Sequence, residues 1–232
     1  MSANEQSKRN KSALIMTVLV GCSSLICLID GVLLPSYLLK SAVKVLLFFV
    51  LPMGYFALYR DEWQTVKRMF IPRKRDLLLA LGLGLGVYVL IMGAYYVFRT
   101  RVDFTGIVDS LASGMGVTAE NFGKISMYIA FLNSLLEEFF FRGFGFIVLS
   151  RHAGRGFAFV FSALCFALYH LGMMNGWFSP GLLLLTVLAL FVGGCIFNAL
   201  NARCENIYPS WLVHMCANFA INTVGFMIFG LL

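Results

Sequence analysis

The chain has 232 residues, 60% of them hydrophobic and only 12% charged, with a formal net charge of +7 and a mean hydropathy of +0.85. A soluble domain carries about 25% charged residues, so this composition excludes an ordinary soluble fold. It also leaves no room for the folded basic face that nucleic-acid binding needs. What fits is an all-α polytopic integral membrane protein, because helices satisfy their own backbone hydrogen bonds in hydrocarbon.

At about 20 apolar residues per crossing, seven spans are predicted: Ala13–Ile29, Val43–Tyr59, Leu77–Phe98, Ile125–Leu149, Phe157–Leu171, Gly181–Leu200 and Ser210–Leu231. Lys8, Arg9 and Lys11 precede the first run, and no small-residue cleavage pattern follows it, so it reads as an uncleaved span. With the N-terminus cytoplasmic, the inner segments hold twelve Lys and Arg residues. The outer ones hold five: Lys40, Lys44, Arg99, Arg101 and Lys124. That asymmetry predicts a cytoplasmic N-terminus and a seventh helix ending outside.

Between the second and third spans, Arg60–Asp76 is the most basic stretch and includes Trp63, Val66, Met69, Phe70 and Ile71. It reads as a surface helix on anionic headgroups or as a plain inner loop. In the third span, Gly82 and Gly86 predict a close helix–helix contact. The connection Arg99–Lys124 reads as a polar connector. Cys22, Cys27, Cys165, Cys195 and Cys216 lie in apolar runs and Cys204 in a short connection. They read as small buried hydrophobes and not as a disulfide framework.

The fourth span contains Glu137, Glu138 and Arg142. Each such ion at a helix centre costs roughly 2.5–3.5 kcal/mol on insertion scales, so intramembrane ions are paired or functional. In an α-helix Glu138 and Arg142, at i and i+4, share a face and neutralise each other. Glu137 points about 100° away from Glu138, has no partner on its own helix, and is the residue left for chemistry. The fifth span ends in Phe166 and His170. Glu137 is 12 residues before Leu149 and His170 is 13 after Phe157, which places both roughly 18–20 Å from the inner ends. The last span holds His214 and Asn218, at i and i+4 and expected somewhat nearer the inner face.

These three patterns together resemble the CPBP family, the CAAX proteases and bacteriocin-processing enzymes also called Abi proteins. EExxxR falls on Glu137, Glu138 and Arg142, with Phe141 and Gly143 in its extended form; FxxxH falls on Phe166 and His170; HxxxN falls on His214 and Asn218. The resemblance covers roughly Ile125 to Leu232, and the first three spans match only in hydropathy. It implies N-terminal helices with a basic cytoplasmic loop over 1–124 and a catalytic four-helix core over 125–232, in one membrane domain with a polar site among its helices.

The activity so implied is an intramembrane endopeptidase acting on a membrane peptide or protein in the lipid bilayer. Glu137 and His170 activate a water, His214 and Asn218 stabilise the oxyanion, and Glu138 and Arg142 support the site. No cofactor is expected. A zinc shell of Glu137, His170 and His214 stays open, although there is no HExxH helix and asparagine is not a usual zinc ligand. In function, a non-proteolytic immunity or chaperone-like binding protein of the same fold is the alternative. Short loops and compact size point to a bacterial plasma membrane.

Overall fold

The structure, a computed structural model, describes residues 2–33 and 36–232. Among the described residues there are nine helices and no strand. They are α1 (Asn4–Leu33), α2 (Tyr37–Leu58), α3 (Trp63–Met69), α4 (Lys74–Phe98), α5 (Phe104–Met115), α6 (residues 119–153), α7 (Arg155–Tyr169), α8 (Pro180–Cys204) and α9 (Tyr208–Ile228). The ends follow local chemistry. Ser2 and Glu5 form a capping box at the start of α1, and Thr118 and Asn121 form another at the start of α6. Gly154, at φ +87°, breaks the chain between α6 and α7, a backbone state that glycine adopts without penalty.

Five helices, α1, α2, α4, α8 and α9, are long and apolar enough to cross a membrane. The other two predicted spans correspond to α6, which carries the ionic residues, and to α7, which has 15 residues. Much of the leucine on the long helices faces outward, as on Leu78, Leu81 and Leu85 of α4, the pattern expected of lipid-facing surface. The protein is thus an integral membrane protein built from helices.

α6 is not a plain α-helix. It opens into π turns at Ile129–Asn133 and again at Glu138–Val148, and the second stretch is buried at every residue. π turns inside helices are frequent at functional sites. α6 is wrapped by aromatic packing from α2 and α7: Phe48 stacks on Phe140 at 4.1 Å, and Phe141 lies against Tyr169 at 5.1 Å. One continuous core joins Ile15, Leu19 and Ile26 of α1 and Phe48 and Phe56 of α2 to residues of α6, α7 and α9.

The close helix contact in α4 runs through Gly84, not through Gly82 and Gly86. A Cβ on Gly84 would stand 2.6 Å from Cys216 Sγ, whereas one on Gly82 or Gly86 would meet open space. Gly82 and Gly86 share a face that points outward, which the glycine spacing alone does not reveal. Within Arg60–Asp76, α3 buries Thr65, Val66 and Met69 and exposes Lys67 and Arg68. The Arg99–Lys124 connector contains α5, capped by the Asp103 carboxylate on the Thr105 and Gly106 amides.

Candidate active site

The site is built outward from Glu137, which is buried on α6. Its Oε1 accepts from Lys44 Nζ of α2 at 2.7 Å and from Asn133 Nδ2, one turn earlier on α6, at 2.6 Å. Its Oε2 is buried, makes no hydrogen bond among the described residues, and lies 3.8 Å from His214 Nε2 on α9. Next along α6, Glu138 Oε1 takes the other nitrogen of the same ring, His214 Nδ1, at 2.9 Å. The two adjacent carboxylates thus face both nitrogens of His214, with a hydrogen bond at Nδ1 alone.

His170, at the end of α7, has its Nδ1 2.7 Å from the Phe166 carbonyl. A carbonyl only accepts, so Nδ1 carries the proton and, in the neutral ring, Nε2 carries the lone pair. Phe166 ties the two histidines together. Its ring meets His170 edge-on at 4.8 Å and His214 at 5.8 Å. The Arg142 guanidinium also lies over this ring, 3.9 Å from the Phe166 centroid and 4.9 Å from that of Phe197. Arg142 is fully buried, pairs with Glu138 at 3.6 Å, and makes no hydrogen bond from any guanidinium nitrogen among the described residues. Cation–π contact and one ion pair therefore hold it.

His214 lies between Glu137 and Glu138, Arg142 pairs with Glu138, and His170 joins them through Phe166. Asn218 stands apart: its Nδ2 donates to the Ile129 carbonyl at 3.2 Å. The expected depth order is corrected here. His214 sits level with the two glutamates, and Asn218 lies a turn further along α9, toward the beginning of α6. The cause is the seating of α9, whose entry is fixed by the Ile207 amide on the Met69 carbonyl at 3.0 Å. α6 meanwhile runs on to Ala153, so distances counted from span ends do not share an origin.

The sequence reading missed Lys44, Asn133 and Tyr169. Lys44 was counted with the outer cations, yet it is buried at the heart of α2's contact with α6. Lys40, one turn earlier, is likewise buried, paired with Asp30 of α1 at 2.9 Å. The available signal was a lysine inside the apolar run that begins at Tyr37. For Asn133 it was an amide at i−4 from the lone glutamate.

The turn after His170 is pinned to α1 through two glycines. A Cβ on Gly172 would lie 2.1 Å from the Cys27 carbonyl oxygen, and one on Gly31 would lie 3.3 Å from Gly172 Cα. Backbone cannot yield as a side chain does, so Gly172→Ala must push α1 and the His170 turn apart. The expected loss is about 1–3 kcal/mol, the usual range for overpacking, with the rate of any reaction at His170 falling too. Thermal unfolding in detergent, with Gly31→Ala as the milder comparison, measures it.

The same contacts bear on zinc. Among the described residues no three His, Cys, Asp or Glu side chains are grouped so as to hold a metal ion. Glu137 Oε1 already faces the Lys44 ammonium, and both Nδ1 atoms are engaged, on Phe166 and on Glu138. A divalent ion would meet a fixed positive charge 2.7 Å from its only carboxylate ligand in the proposed set. The Lys44 ammonium thus opposes a cation at that carboxylate.

Residues 121–220, somewhat less than half of the chain, match the model of the family described as type II CAAX prenyl endopeptidase Rce1-like. The match contains every residue of the three motifs and bears out the resemblance drawn from them. No curated protein and no solved structure gave a match.

Proposed function

From the family match over residues 121–220, we propose that the chain is an intramembrane endopeptidase of the CAAX-protease type. It hydrolyses a peptide bond in a membrane-associated peptide or protein, and residues 125–232 carry the catalytic core. The observation that carries this reading is the unbonded Glu137 Oε2, buried 3.8 Å from His214 Nε2. A water there, held in place by the His170 Nε2 lone pair, loses a proton to Glu137 as its oxygen attacks the scissile carbonyl. The proton then passes to the leaving amine as the C–N bond breaks.

The carbonyl oxygen, negative in the tetrahedral intermediate, receives hydrogen bonds from His214 and from the second N–H of Asn218. For that role His214 needs a proton on Nε2. With Nδ1 donating to Glu138, this is the imidazolium form. The Lys44 charge supports a reaction without zinc. The test uses the full chain in detergent and an internally quenched peptide with a farnesylated cysteine near its C-terminus. Cleavage that survives a strong chelator is expected. Two results together sink the reading: no cleavage of the peptide, and identical membrane peptidomes from cells carrying wild type and Glu137→Gln.

In this reading α6 and α7 also cross, giving seven spans with the N-terminus inside and the C-terminus outside. Removing the buried Lys11, Lys40 and Lys44 changes the Lys and Arg split from twelve against five to eleven against three. Cysteines placed at Ser2 and at Leu232 should label from opposite sides. Labelling from one side means that the number of crossings is even.

A further inference from the structure

We infer that Lys44 and Asn133 are positioning residues: they clamp one oxygen of Glu137 and turn the other, Oε2, toward His214. The inference rests on the endopeptidase reading for its consequence in catalysis, but the contact on which it stands does not.

An ammonium has three N–H donors, and Lys44 Nζ has three acceptors around it. They are Glu137 Oε1 at 2.7 Å, Asn133 Oδ1 at 2.7 Å and Tyr169 Oη at 3.3 Å. Asn133 closes the ring, because its Oδ1 accepts from Lys44 while its Nδ2 donates to Glu137 Oε1 at 2.6 Å. This closure also fixes which way the amide points. Both donors to Glu137 converge on the same oxygen, and among the described residues Oε2 receives none. A counter-ion alone would balance the charge of the carboxylate equally well from either side. The one-sided arrangement does something more, since it sets the rotation of the carboxylate.

Lys44 is itself held in place. Its Nζ lies over the rings of Phe48 and Tyr169, 5.4 and 5.1 Å from their centroids. One turn earlier, Lys40 binds Asp30 and so ties this part of α2 to α1. Lysine is among the residues most disfavoured in hydrocarbon, and the polar cluster on α6 is what Lys44 faces. With it, two cations, Lys44 and Arg142, face two carboxylates, Glu137 and Glu138.

The experiment compares Lys44→Met, Lys44→Arg and Asn133→Ala in the full chain, using the quenched farnesyl peptide and rates per folded molecule. Lys44→Met is expected to lower kcat by about 10²-fold, the effect of a reacting group misplaced by about an ångström. KM should stay within about threefold, since ground-state binding is untouched. Asn133→Ala should lower kcat by about tenfold, and Lys44→Arg should recover all but about tenfold of the wild-type value. Unchanged kcat per folded molecule in Lys44→Met overturns the inference and leaves Lys44 as a counter-ion.

A second measurement needs no substrate. In a thermal-unfolding cycle of Lys44→Met and Glu137→Gln, the two effects should be non-additive, because the residues are in contact. Additive effects overturn the clamp even if the variants are poorly active for other reasons. A wild-type chain that cleaves nothing counts against the endopeptidase reading, while the cycle still decides whether Lys44 and Glu137 are coupled, without which there is no clamp.

Discussion

Replacing Glu137 by Gln is expected to reduce hydrolysis at least about 10³-fold, as loss of a general base does, and also to destabilise the folded protein. The second half of that expectation comes from the structure. Read from the sequence, Glu137 has no partner on its own helix, and its replacement by an isosteric amide should leave the amount of protein unchanged. Lys44 alters this, because the variant leaves a buried ammonium without its counter-charge. Breaking a buried pair from one side costs roughly 3–5 kcal/mol. Gln still offers Lys44 a carbonyl oxygen, so the expected loss is nearer 1–3 kcal/mol, the scale of a hydrogen bond to a charged group. Lys44→Met combined with Glu137→Gln removes both charges and should recover much of the stability while staying inactive. Unfolding midpoints and cleavage rates on the three proteins separate the two effects. A Glu137→Gln variant retaining more than about a tenth of the wild-type rate means that the base has been assigned to the wrong residue.

Most of the helical layout was legible in the hydropathy pattern, because a bilayer span needs a long apolar run and little else. The three motifs were legible because ions and imidazoles inside such runs are expensive and stand out. What stayed hidden depended on helix rotation and on neighbours distant in sequence. Gly84, not Gly82 or Gly86, meets Cys216 because rotation of α4 about its axis is set by packing against α9. Lys44 reaches Glu137 across 93 residues, and its charge near the predicted edge of a span made it look like part of a loop. The π turns of α6 change the angle per residue, so an argument from 100° steps does not extend past Glu138. The Glu138–Arg142 pair survives that change at 3.6 Å, without a hydrogen bond.

That weak pair leads to the other large effect. Glu138 has two partners, and they serve different ends: Arg142 balances its charge, and His214 Nδ1 uses it as an acceptor at 2.9 Å. Arg142→Met alone should cost about 3–5 kcal/mol, because it strands a buried carboxylate, and folded yield should fall with it. The space between Phe166 and Phe197 is apolar, so methionine fits there without a new polar demand. Replacing both residues, Glu138→Met with Arg142→Met, removes both charges at once. Buried ion pairs exchanged for apolar side chains of similar volume are often neutral or even stabilising by about 1–4 kcal/mol. The double variant should therefore unfold near the wild-type temperature. It should nevertheless turn over about 10²–10³-fold more slowly, because His214 has lost the acceptor that sets its ring and the charge beside it, and with them one oxyanion donor. A pair kept only for folding predicts the opposite split, with restored stability and restored turnover together. Unfolding temperature and rate per folded molecule, measured on the same preparations, tell the two apart.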